Sequence, residues 1–135
     1  MKKCLLAFIF FFFICHSFFG QVKFTTDPDS AVFLTSDINN FWKAFDDFKK
    51  NPALNNFGPK YIEIGSAGVH GFIPHRIESA DHLFSVVQKR KTDYEKVREN
   101  TLKIREKEKH CRSIFYALKY LCPDVVFPPT YFVMG

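Results

Sequence analysis

His70, His75, Glu78 and His82 fall within thirteen residues, and all four side chains are able to bind zinc. A catalytic zinc site usually takes two ligands from one helical face, as in H-E-x-x-H, where the glutamate activates the metal-bound water. No His in this chain is followed by Glu. His70 and His75 sit in a Gly/Pro-rich stretch, and Glu78 with His82 is a single i,i+4 pair, which is not a site. Polar loop residues leading into a capped helix account for the cluster more simply than a metal does.

Nucleophilic chemistry has two candidates. "IGSAGVHG" sets Ser66 between glycines and close to His70, without the G-x-S-x-G spacing of a strand-turn-helix elbow. His110 and Cys111 are neighbours, which on a helix turns their side chains about 100° apart. No glycine loop of the phosphate-binding type is present. No residue is therefore assigned as catalytic, cofactor-binding or metal-ligating, and no cofactor is expected in this chain.

Charge is distributed unevenly. Gln88–Arg112 holds ten Lys or Arg against five Asp or Glu, giving +5, while the rest is balanced at nine against nine. Such a stripe could contact an anionic polymer or lipid surface. The interleaved acids offer a plainer account, a solvated helix laced by i,i+4 pairs such as Lys91–Glu95, Glu99–Lys103 and Glu108–Arg112.

The elements that must position these residues follow from periodicity. After short apolar patches at Val22–Phe24 and Ala31–Leu34, split by the turn Asp27-Pro28-Asp29, Thr35 or Ser36 can cap a helix. Ile38, Phe41, Trp42, Phe45 and Phe48 recur at helical spacing, with Asp37, Lys43, Asp46 and Asp47 assigned to the opposite face. Asn51-Pro52 ends that helix. A short strand is expected at Tyr61–Ile64, then a glycine-rich loop. From the N-cap Ser79, the series Ala80, Leu83, Val87, Arg90, Tyr94, Val97, Thr101 and Ile104 predicts one long charged helix, about 45 Å if it reaches Lys109. An apolar helix follows, carrying Ile114, Phe115, Leu118 and Leu121, as a kinked continuation or a second packed helix. Pro123 stops it, and Val125–Met134 reads as a strand placed at an edge or bent by Pro128-Pro129. If Gly135 is the true end, its expected partner is the Tyr61–Ile64 region, the N-terminal strands or a second molecule. The fold class is α+β and mostly helical.

The first twenty residues have a separate character. Lys2-Lys3, the apolar run Leu5–Cys15 and Gly20 have the layout of a secretory signal peptide. The run is too short for a membrane span of about 20 residues. Cleavage after Gly20 leaves residues 21–135 as one domain; an uncleaved anchor and a lipoprotein signal at Cys15 are the alternatives, with Ile14 a poor fit to the latter. Export brings Cys111 and Cys122 into an oxidising compartment and lowers any nucleic-acid reading. Eleven helical residues would separate the two thiols by about 16 Å, past the disulfide limit of about 7 Å. Both are expected to be buried as small apolar groups.

Four segments, "FLTSDINNFWKAFD", "YIEIGSAGVHGFIPHRIESADHLFSVV", "CRSIFYALKYLCPD" and "VVFPPTYFVMG", together resemble the N-terminal portion of a family of exported bacterial proteins. These are described as predicted zinc-dependent proteases, related to gliding-motility lipoproteins. The resemblance covers roughly Val32–Gly135. It implies an incomplete zincin-like domain whose terminal strand is followed, in the family, by more sheet and by a helix bearing H-E-x-x-H. None of the family's catalytic residues falls on a position of this chain. Zinc is thus implied only for a full-length relative, and the missing partner is the C-terminal catalytic portion. The sequence also leaves open an exported helical binding protein whose basic helix meets an anionic partner.

Overall fold

The computed structural model describes residues 24–135; the expected signal peptide, with Val22 and Lys23 of the first apolar patch, lies outside them. The order is a 3-10 turn Pro28–Ser30, β1 (Phe33–Leu34), α1 (Ser36–Lys50), a π-helical turn Gly58–Ile62 and α2 (Ala67–Phe72). A second π-helical turn Ile73–Ile77, α3 (Ala80–Lys89), α4 (Lys91–Leu102), a 3-10 turn Ile104–Lys107, α5 (Glu108–Leu121) and β2 (Thr130–Tyr131) complete it. The described chain is mostly helical with few short strands, as its composition of periodic segments predicts.

Helix α1 forms the centre because its apolar positions recur three and four apart and bury one continuous stripe. Ile38, Phe41, Trp42, Ala44, Phe45 and Phe48 are buried, and Phe57, Tyr61, Val69, Ile77, Leu83, Val87 and Tyr94 close around them. Asp37 is the exception to its assigned face, being 1% exposed. It lies four residues before Phe41 and so belongs to the same stripe.

Two sequence expectations are overturned. Tyr61–Ile64 is not a strand: Gly58–Ile62 is a π turn that contains Pro59, and the region that follows is helical rather than a loop. Pro59 fixes a helical φ at the start of the turn, while Phe57 and Tyr61, four apart, both face the core. The single long helix is likewise three pieces. Arg90 (φ −114°, ψ 24°) ends α3, and Lys103 (φ −88°, ψ 6°) ends α4. The breaks let the chain wrap around α1, so Leu83, Val87 and Tyr94 all reach the core, whereas Val97 of the expected seam is exposed.

Long-range polar contacts tie the pieces to α1. Trp42 Nε1 donates to Thr101 Oγ1 at 3.0 Å. Arg98 donates two parallel bonds to Asp46, at 2.6 and 2.8 Å, and its guanidinium lies 4.9 Å from the centre of the Trp42 ring. These bonds hold the Asp46 carboxyl below the usual carboxylate range. A group whose folded pKa is lowered stabilises fully above its unfolded pKa of about 4, and that contribution disappears as pH falls through the folded value. Arg98→Met is therefore expected to flatten the acid limb of the stability curve, measured by urea unfolding between about pH 2 and pH 6.

Glu78 joins the second π turn to α3 with φ 59° and ψ −61°. Ser79 N donates to Ile77 O at 2.7 Å across it, which is the strained form of the γ-turn. Ser79 then caps α3, accepting from His82 N at 3.0 Å. Glycine adopts positive φ without the steric cost borne by a side chain. Glu78→Gly is expected to raise stability by about 0.5–1 kcal/mol, read as an upward shift of the urea midpoint.

Candidate functional site

The C-terminal segment is seated by several independent interactions. Phe127 makes an antiparallel bridge with Thr25. After Pro128-Pro129 the chain changes partner, and β2 pairs in parallel with β1 in the register Phe33 to Thr130 and Leu34 to Tyr131. Proline lacks the N–H that a ladder needs, so the pair of prolines falls where one pairing stops and the other starts. Of the three partners open to this strand, both pairings use the N-terminal segment.

Beneath β2 lies a small polar seat. Ser66 caps α2, its Oγ accepting from Gly68 N at 3.1 Å. The Ser66 N–H donates to Asp37 Oδ1 at 3.1 Å, and its hydroxyl donates to Asp37 Oδ2. This fixes the start of α2 against α1 and brings Gly68 under Tyr131, where an added Cβ would stand 2.6 Å from Tyr131 Cγ. Only glycine permits that approach without moving the strand. Tyr61 completes the seat: its hydroxyl donates to Met134 O at 2.5 Å and accepts from Met134 N at 2.9 Å. Burial raises the Tyr61 phenol well above its ordinary pKa, so it stays protonated and keeps both bonds throughout the neutral range.

Tyr61→Phe removes this doubly bonded hydroxyl and leaves the Met134 amide without a partner. A loss of about 1–2 kcal/mol is expected, with faster hydrogen exchange at the Met134 amide as the more specific readout.

The sequence candidates for chemistry are not brought together. Among the described residues, no three His, Cys, Asp or Glu side chains gather to hold a metal ion. His70 Nε2 lies 3.0 Å from Ile62 O. His82 Nδ1 lies 3.2 Å from Ile77 O and 3.8 Å from a Glu78 oxygen. These histidines serve the π turns and the helix starts they adjoin. Ser66, the nucleophile candidate, is consumed by Asp37 and the α2 cap. Cys111 is half-buried and Cys122 exposed, both free, so the expectation of two buried thiols fails. Cys122 ends α5 in extended conformation (φ −136°, ψ 90°), which turns it away from the packed stripe.

The basic segment also changes character. Glu99–Lys103 and Glu108–Arg112 pair as expected at 2.5 and 2.7 Å. Glu95 instead pairs with Lys49 of α1 at 2.8 Å, because α4 packs beside α1. Arg112 also donates to the carbonyls of Pro28, Asp29 and Ala31, and its guanidinium sits 5.1 Å from the centre of the Phe33 ring. Asp37 and Tyr61 were not singled out from sequence as polar groups of consequence. Comparison of the chain with protein-family models, with curated proteins and with solved structures finds no match.

Proposed function

We propose that this chain is the exported, N-terminal, non-catalytic part of a zinc-metallopeptidase-like protein, an incomplete zincin-like unit that positions a sheet. The observation that carries the reading is the seat of β2. The buried Asp37 and Tyr61, with the half-buried Ser66, all hold backbone in place, and Gly68 admits the strand. A frame committed to fixing one strand suits a part whose partner supplies the chemistry. The resemblance of Val32–Gly135 to the front of the exported protease family supplies the identity of that partner.

The test is to read the coding DNA past the codon for Gly135 in all three forward frames. A continuation encoding H-E-x-x-H, in frame or displaced, is expected. A stop codon with no such motif downstream would reject the reading.

A second reading, an exported binding protein with an anionic partner, is favoured by one observation. Among the described residues, Lys89, Lys91, Arg105, Lys107 and Lys109 take part in none of the ion pairs. Retention on a polyanion that weakens steeply with salt is its expected signature.

A further inference from the structure

We infer that the outward face of α5 docks on an anionic lipid surface, with cations at one end for the headgroups and an apolar stripe for the acyl region. The inference rests on the second of the two readings above and names its partner.

Helix α5 has fourteen residues and none of them is buried. Its inner stripe, the half-buried Glu108, Cys111, Arg112, Phe115 and Lys119, leans on the N- and C-terminal segments, where Phe115 stacks on Phe33 and Phe127 at 5.3 and 4.6 Å. At 100° per residue, Lys107, His110, Ile114, Ala117, Leu118 and Leu121 share an adjoining flank. All six are exposed, Leu121 to 77% and Ile114 to 50%. The apolar side chains are therefore a continuous i, i+3, i+4, i+7 stripe that the described fold does not cover.

Charge complementarity selects the occupant. Arg98 is engaged by Asp46, and Arg112 by Glu108 and three carbonyls, so the cations outside ion pairs include Arg105, Lys107 and Lys109 at the head of α5. Lys107, Lys109, His110 and Ser113 line an open concavity with Glu106 as its one acid. A helix with cations beside a row of Leu and Ile side chains matches an interface in which anionic headgroups lie next to acyl chains. Tyr120, 87% exposed at the end of the same helix, adds an aromatic side chain of the kind enriched at that depth. No described helix is long and apolar enough to cross a membrane, so contact would lie along the surface.

The test uses the full chain on phosphatidylglycerol/phosphatidylcholine vesicles and on phosphatidylcholine alone, with the leader as a constant background in every variant. Leu118→Asp/Leu121→Asp and, separately, Lys107→Glu/Lys109→Glu are each expected to weaken binding to the anionic vesicles about tenfold or more. The lysine variant should lose most of the preference for anionic over neutral lipid. Circular dichroism should show both variants folded, since all four residues are exposed. Unchanged vesicle binding in both folded variants would overturn the proposal. So would a dimer in sedimentation that Leu118→Asp/Leu121→Asp dissolves while lipid binding persists, which would make the face an interface between copies. Salt-sensitive retention on heparin without vesicle binding would overturn the lipid proposal and leave the anionic-partner reading standing; loss of both would end that reading as well.

Discussion

Phe41→Ala is expected to destabilise the protein by about 3–5 kcal/mol, the largest loss from any single truncation here. The ring is fully buried. Its centroid lies 5.1 Å from that of Trp42, 5.5 Å from Phe57, and 5.4 Å from both Tyr61 and Tyr94, with Phe45 at 6.2 Å. Five aromatic neighbours drawn from α1, α4, the first π turn and the residue before it cannot collapse together into the space of one phenyl group, because each is held by its own segment. A cavity should remain, and its cost adds to the lost transfer energy. Domains of this size hold only about 5–15 kcal/mol in total, so the variant should unfold at far lower urea. Trp42 fluorescence is the natural probe, and a loss below about 1 kcal/mol would mean that the core is packed differently.

Asp37→Ala should cost about 2–3 kcal/mol, although it removes no apolar surface. The carboxylate is buried and accepts from both the amide and the hydroxyl of Ser66. Removing it strands those donors and frees the start of α2, which carries Gly68 beneath Tyr131. The effect should therefore reach β2, with amide exchange quickening at Thr130 and Phe132 as well as in α2. Asp37→Asn keeps one acceptor for the Ser66 amide and should lose less than alanine does. A change within about 0.5 kcal/mol for alanine would show that the seat is not held from α1.

The helix α1 was legible because Ile38, Phe41, Trp42, Phe45 and Phe48 repeat with a single period. Asp37 was misplaced for an instructive reason. Its spacing to Phe41 and Phe45 put it on the buried stripe, yet its charge argued for solvent, and only the position of Ser66 decides between them. The first π turn was missed because Ile62-Glu63-Ile64 alternates like a strand, and the second, Ile73–Ile77, because the glycines and Pro74 around it read as a loop. Pro59 and the four-residue step from Phe57 to Tyr61 carried the helical signal. The breaks at Arg90 and Lys103 contain neither Gly nor Pro, so no local residue announces them. They follow from wrapping around α1, a tertiary constraint.

Of the strand expected over Val125–Met134 only Thr130–Tyr131 forms, with a single bridge at Phe127 before the break at Pro128-Pro129, and its partner was not legible. Parallel pairing of Thr130–Tyr131 with residues nearly a hundred positions earlier leaves no short-range mark in sequence. The candidate site was still less visible. Sequence drew attention to His70, His75, Glu78 and His82, while the side chains that matter to β2 are Asp37, Tyr61, Ser66 and a glycine. A tyrosine hydroxyl that bonds both the amide and the carbonyl of one distant residue cannot be inferred from residue type alone.

Hydrogen exchange at three amides tests most directly whether the packed domain holds β2 in place. Thr130 N donates to Val32 O and Phe132 N to Leu34 O, both at 2.9 Å, and Met134 N donates to the Tyr61 hydroxyl. If the seat is as described, these amides should exchange as slowly as those of α1, opening only with the whole domain. Exchange near the free-chain rate at all three, with α1 still protected, would contradict the account.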